Sequence, residues 1–174
     1  PYSNLKIGSG MVCHTGHINL ACPITIGDDV GLSHDVDLIT HGFWASVLEG
    51  YPRSFKGINI GNNVIVGWKS IIMGGVDVCD DVVIGSHSTI TKSLTTPRAI
   101  YAGSPAKLLK IIDKPTTKEK IHMISNIKKE FETLMGYYEV GKINIHLDYP
   151  VIQINDLEID MLKTTCKGTH DNIS

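Results

Sequence analysis

The sequence has no C-x-x-C pair, no excess of basic charge and no apolar run long enough to cross a bilayer. Each absence removes a class of protein. The four cysteines, Cys13, Cys22, Cys79 and Cys166, are scattered, which fits free thiols in a reducing compartment better than a disulfide framework or a thiolate zinc site. Sixteen basic and 18 acidic residues are interspersed, giving a net charge of -2. That balance lacks the electrostatic footprint that a phosphate backbone requires, so nucleic acid is not an expected partner. No transmembrane helix is expected, and residues 1–10 lack the charged-then-apolar order of a signal peptide. A cytoplasmic protein without membrane contact is the expectation. At 174 residues and 42% hydrophobic content, the chain suits one folded domain plus accessories. The start at Pro1 also suits a domain fused to something longer.

What is present is a period of six. Aliphatic residues recur at Ile60, Val66, Ile72, Val78, Ile84 and Ile90 without a slip. Four positions after each of the first five stand Val64, Ser70, Val76, Val82 and Ser88, all small or β-branched, and glycine directly follows Ile60, Val66 and Ile84. A second block keeps the period at Leu20, Ile26, Leu32 and Leu38, with Val30 and Val36 at the small position. Neither an amphipathic helix nor a long flat strand explains six. A coil of short strands does, with the aliphatic residue pointing to the axis and the small one filling the corner. Gly27-Asp28-Asp29 and Gly61-Asn62-Asn63 suit such corners because these residue types tolerate positive φ. An antiparallel sandwich would instead space its turn signals every 8–12 residues.

The pattern of aliphatic-Gly-x-x-small-x resembles the hexapeptide-repeat acyltransferases, and residues 24–111 are similar to the xenobiotic, maltose and galactoside acetyltransferase branch. The resemblance implies an all-β core, a left-handed parallel β-helix with three hexads per turn. It also implies acetyl-CoA as co-substrate, no metal, a homotrimer, and active sites between neighbouring subunits. On this basis residues 1–112 form the coil with a protruding loop at 41–57, residues 113–160 a helix plus short strands, and residues 161–174 a tail or linker.

The loop interrupts the period between Leu38 and Ile58. Thr40-His41-Gly42-Phe43-Trp44 leads into Leu48-Glu49-Gly50-Tyr51-Pro52-Arg53, too aromatic for a plain solvated linker and readable as functional. In the resembled family a Thr-His or Gly-His step opens such a loop and its histidine is the general base, which places that role on His41. An alcohol or amine acceptor needs a base titrating near working pH, and imidazole is the unperturbed side chain that does. Trp44, Tyr51 and Phe43 serve either as a small core holding the loop or as an acceptor platform. Asp37 and Glu49 are candidate hydrogen-bond acceptors for the substrate, and His34 a candidate cleft residue near it.

After the last hexad come Lys92 and then Ala102-Gly103-Ser104-Pro105-Ala106-Lys107, which resembles the point where this branch leaves the coil and receives the CoA arm. Gly85, Ser86, Ala102 and Gly103 leave backbone open to a pantetheine chain, and Lys92 and Lys107 are candidate phosphate contacts. Gly67 and Trp68 belong to the same expected cofactor cleft, although relatives usually carry a smaller residue at the Trp68 position. Farther on, Ile121, Ile124, Ile127, Phe131 and Leu134 fall on one helical face, Thr116 and Glu119 form a capping box, and Gly136 suits the stop. Residues 143–147 alternate like a strand that 151–154 would pair with.

These features point to an acetyl-CoA-dependent transferase acting on a hydroxyl or amino group of a sugar, amino sugar or nucleotide-linked sugar, as in glycan biosynthesis. Two other readings compete. His14, His17 and His34 make a metal site formally available, and the gamma-class carbonic anhydrases resemble this chain in fold, but no H-x4-H pair is present. A non-catalytic β-helix used as an assembly module would leave His41 and the Ala-Gly-x-Pro-Ala-Lys run unexplained.

Overall fold

The computed structural model describes residues 3–43, 45–138, 144–154, 157–160 and 165–167, with residues 147, 148, 157–160 and 165–167 described by backbone alone. The chain divides into two compact units, residues 1–113 and 114–174.

The first unit is a coil walled by three sheets whose strands run parallel, one strand per sheet in each turn. One wall stacks Leu5–Ile7, Ile24–Ile26, Ile58–Ile60 and Asp77–Val78. A second stacks Val12–Cys13, Gly31–Leu32, Ile65–Val66, Val82–Ile84 and Ala99–Ala102, and is closed by Lys107–Ile111 running antiparallel. The third stacks Gly16–Asn19, Val36–Ile39, Ile71–Met73 and Thr89–Ile90. Asn59 pairs with Asp77, Ile65 with Val83 and Ile71 with Thr89, so one turn consumes three hexads.

The register follows from the six-residue period. Ile60, Val66, Ile72, Val78, Ile84 and Ile90 are each at most 3% exposed, and Val64, Ser70, Val76, Val82 and Ser88 are buried beside them. Removing such aliphatic side chains from water contributes roughly 1.5–3 kcal/mol apiece. Leu20 is only partly buried, packed against the rim of the core.

The corners work differently from the expectation. Positive φ falls on Asp29, Asn63 and Asp81 at 55°, 53° and 59°, while Gly27 and Gly61 keep ordinary backbone. Glycine stands at 27 because a Cβ there would lie 2.7 Å from the carbonyl carbon and oxygen of Gly61 one turn on. Close stacking of turns, not φ, excludes a side chain. The intervening polar residues form a ladder: Ser9 N–H donates to Asp28 Oδ1 at 2.6 Å, Asp28 N–H to Asn62 Oδ1 at 2.8 Å and Asn62 N–H to Asp80 Oδ1 at 2.7 Å.

In the second unit the helix Thr117–Tyr137 starts on the expected box, with Thr116 accepting from Glu119 N–H and Glu119 accepting from Thr116 N–H. Gly136 does not stop it. The helix runs through Gly136 because its backbone there is ordinary, and it ends at Tyr138, whose N–H bonds back to Leu134. Ile124, Ile127 and Phe131 face a cleft shared with Ile145, Ile152 and Ile154, while Ile121 and Leu134 are 41% and 48% exposed. Ile145–Asp148 pairs antiparallel with Val151–Ile154, which pairs with Leu157–Asp160. Thr165–Lys167, within the stretch read as a tail, adds a fourth strand. No helix among the described residues is long and apolar enough to cross a membrane.

The Thr116 hydroxyl and N–H hold the Glu119 carboxyl below its usual value. A lowered native value stabilises the helix start above the ordinary glutamate range, and that contribution is lost as pH falls through the lowered one. Far-UV circular dichroism is expected to lose helix signal on acidification through that range, with a smaller change in Thr116→Ala. An identical acid response in the two proteins would remove the capping box as its cause.

Candidate active site

His41 follows the last strand of the second full turn, where the chain leaves the coil. His41–Gly42 pairs antiparallel with Ser54–Phe55, placing His41 opposite Phe55. This neck closes the protruding loop, and Lys56 N–H then donates to Thr40 O at 3.0 Å as the chain re-enters the wall. Inside the loop, Val47–Glu49 makes one 3-10 turn, capped by Ser46 and ended by Gly50 at φ 86°.

Beneath the neck lies Asn19, one turn earlier. Its Oδ1 is 2.7 Å from His41 Nδ1 and accepts the Ala21 N–H at 3.3 Å. A backbone N–H can only donate, so the amide atom facing it is the oxygen, and a carbonyl oxygen can only accept. His41 Nδ1 therefore carries the proton and Nε2 keeps its lone pair. Thr40, fully buried, braces the pair: its hydroxyl accepts from Cys22 N–H at 3.0 Å and lies 2.8 and 2.9 Å from Asn19 O and Oδ1. The arrangement presents one half-buried imidazole in the tautomer a general base requires.

The imidazole is flanked by Phe43 and Phe55, each with its ring centroid 5.8 Å away. Glu49 is exposed in the 3-10 turn and Tyr51 is 57% exposed. Trp44 lies outside the described residues. Asp37 is on the outer face of its strand between His17 and Ile71. His34 sits at the far end of that strand from His41, its ring stacked 4.5 Å over His14 and its Nδ1 3.2 Å from the Thr15 hydroxyl.

That far corner gathers most of the residues expected to meet a cofactor. Lys69 N–H bonds His34 O and His87 N–H bonds Trp68 O, and continuing the Ile84–Tyr101 pairing sets Ser86 beside Gly103, so His34, Trp68, Ser86 and Gly103 occupy equivalent places in successive turns. Gly67, Gly85 and Ala102 form the neighbouring column. A Cβ on Gly67 would lie 2.8 Å from Gly85 C, and one on Gly85 2.9 Å from Ala102 Cβ. Behind them the buried Ser88 hydroxyl donates to Gly85 O at 2.6 Å and accepts Gly103 N–H at 3.1 Å, which fixes the corner backbone. Lys107 pairs with Ala102 on the closing strand. Lys92 stands apart: continuing the register of the third wall puts it on the Thr40 corner, two turns along.

Asn19 escaped the sequence reading. Its only signal is position, since it pairs with Ile39 just before Thr40 and His41. Among the described residues no group of three or more His, Cys, Asp or Glu side chains could hold a metal ion.

Fold and site together define a hexapeptide coil with a histidine at the mouth of an excursion. No family model matches the chain. It is 40% identical over 109 residues to a probable macrolide acetyltransferase of Lysinibacillus sphaericus, covering 56% of this chain and 57% of that one. With the galactoside O-acetyltransferase of Escherichia coli K12 it shares 36% over 93 residues, 52% of this chain and 45% of the relative. Among solved structures, the polysialic acid O-acetyltransferase OatWY superposes with a TM-score of 0.54 at 31% identity, over 64% of this chain and 57% of that one. The hexapeptide-repeat acetyltransferase VCA0836 of Vibrio cholerae, complexed with acetyl coenzyme A, shares the fold with a TM-score of 0.57 at 22% identity, over 63% and 61%. The coil is the left-handed β-helix of the hexapeptide-repeat acetyltransferases, to which residues of this chain are similar over about half its length. It spans about half the length of the curated relatives it matches, and less of some.

Proposed function

We propose that this protein is an acetyl-CoA-dependent acetyltransferase acting in the cytoplasm on a hydroxyl or amino group of a sugar or nucleotide-linked amino sugar, with His41 as general base. The observation that carries the reading is the Asn19–His41 hydrogen bond of 2.7 Å, which leaves Nε2 free at the mouth of the loop. An acceptor hydroxyl or amine gives its proton to Nε2 as its oxygen or nitrogen bonds to the acetyl carbonyl carbon. The C–S bond then breaks, and the thiolate takes the proton back from the imidazolium, so no acyl-enzyme forms. The likeness to proteins named as acetyltransferases of galactosides and polysialic acid supports a sugar acceptor. A macrolide acetyltransferase among the relatives makes other hydroxylated acceptors the competing outcome. The acetyl-CoA complex of a protein of the same fold supports the donor.

Within one chain the base and the Gly85–Gly103 corner lie at opposite ends of the strand Val36–Ile39. A homotrimer that sets the corner of one subunit against the loop of the next brings them together, with Trp68, Ser86, Ala102 and Gly103 receiving the pantetheine arm and Lys92 and Lys107 the phosphates.

Release of free CoA thiol across sugars, amino sugars, nucleotide sugars and macrolides tests the reading. Turnover is expected with one sugar class, and turnover confined to macrolides would overturn the acceptor assignment. Asn19→Asp provides a test of positioning. A carboxylate against Nδ1 favours the imidazolium, so the acid limb of the pH–rate profile is expected to move to higher pH. An unmoved limb with reduced turnover would give Asn19 a merely structural role.

A further inference from the structure

We infer that the loop beside His41 selects an acceptor bearing an anionic group, a carboxylate or a phosphate, and that Arg53 receives it. The inference rests on the acetyl-transfer reading and names the substrate class for the same site.

Arg53 and His41 are mounted on the same two rings. The guanidinium carbon lies 4.9 Å from the Phe55 centroid and 5.8 Å from that of Phe43. The two phenyl rings stack on each other at 5.3 Å and 27°, and each lies 5.8 Å from the imidazole. The neck pairing of His41 with Phe55 ties this cluster to the coil, so the cation and the base keep a set separation. Cation and base are two ring contacts apart, a reach suited to a single sugar ring with one charged substituent.

The state of the guanidinium argues that it is kept for a ligand. Stacking on aromatic faces occupies the flat side of the group and leaves its N–H edge free, which is the edge that meets carboxylate or phosphate in a two-point fork. Among the described residues the one ion pair is Lys128 with Glu132, so no carboxylate there neutralises Arg53. Arg98 shows the alternative use: its Nε and one terminal nitrogen donate to the carbonyls of Ile112 and Asp113, both at 3.2 Å. Ordering a long side chain costs rotamer freedom, offset here by the ring contacts with Phe43 and Phe55. Phe43 and Phe55 remain 53% and 41% exposed, open to the apolar face of a sugar. The loop's described charges are Glu49, Arg53 and Lys56, a surplus of positive sign.

The experiment compares acceptor pairs that differ in one charged group: galactose with galacturonate for the carboxylate, glucose with glucose 1-phosphate for the phosphate. For each pair, kcat/KM for thiol release and acceptor affinity by calorimetry without acetyl-CoA are measured in the intact protein, Arg53→Met and Arg53→Lys. Methionine covers the rings without charge, and lysine keeps charge without the fork. The intact protein is expected to prefer the anionic member of at least one pair by about tenfold or more. Which pair shows the preference identifies the anion. That ratio is expected to collapse toward one in Arg53→Met and to survive in part in Arg53→Lys. A ratio near one for both pairs in the intact protein, or a preference that survives Arg53→Met, overturns the inference. Absence of turnover with every acceptor would overturn the acetyl-transfer reading alone. Calorimetry would still decide for Arg53, because tighter binding of an anionic sugar lost in Arg53→Met upholds it and equal binding refutes it.

Discussion

Replacing His41 by alanine is expected to lower acetyl transfer by roughly a hundredfold or more, within the 10²–10⁴ range a positioned general base supplies, without shifting the thermal melt of the coil. The two halves of that result have separate causes. His41 is half-buried at the start of the loop and contributes nothing to the axial core, which is lined by residues such as Leu38, Ile58 and Ile72 at 0% exposure. Its ring touches Phe43 and Phe55 of the loop, so truncation loosens the excursion and leaves the walls intact. On the proposed reading the acceptor's proton goes to His41 Nε2, and the Asn19 amide beside it has no basic nitrogen to take that role. His122→Ala is the matched control, since His122 is an exposed imidazole on the helix Thr117–Tyr137 of the other unit. Turnover equal to that of the intact protein in His41→Ala would remove the base assignment, and an equal loss in His122→Ala would show that the effect is not specific to His41.

Ile26→Ala is expected to cost about 2–5 kcal/mol in chemical denaturation, whereas Thr25→Ala should change stability by no more than about 0.5 kcal/mol. The two residues are adjacent, and Ile26 is 2% exposed while Thr25 is exposed. In a strand, neighbours point to opposite faces, so the contrast reads the register of the wall directly. Ile26 pairs with Ile7 below and Ile60 above, and a cavity there removes packing from three turns. Comparable effects from the two substitutions would mean that the hexad register was misassigned.

Legibility differed sharply between wall and loop. Every inward position from Ile60 to Ile90 could be counted off, because each turn presents the same axial environment to the same place in the hexad. Glycine at 27 and 61 was visible as a repeat, but its reason was not: the requirement comes from the carbonyl of the next turn, which no local property of the residue reports. Gly136 misled for a related cause. Glycine ends a helix only where the backbone turns left-handed, and nothing at the end of Thr117–Tyr137 demands that.

Sequence alone determined the period of six, the inward and corner residues, the excursion between Leu38 and Ile58, and His41 as the one imidazole at its mouth. Those are properties of spacing along the chain. Tertiary structure alone decided that Asn19 sets the His41 tautomer, that Arg53 and His41 share Phe43 and Phe55, and that His34, Trp68, Ser86 and Gly103 stand in one column. The physical reason is that a coil brings together residues a full turn apart, and an insertion of arbitrary length resets the count, so juxtaposition across the excursion exists only once the walls have stacked.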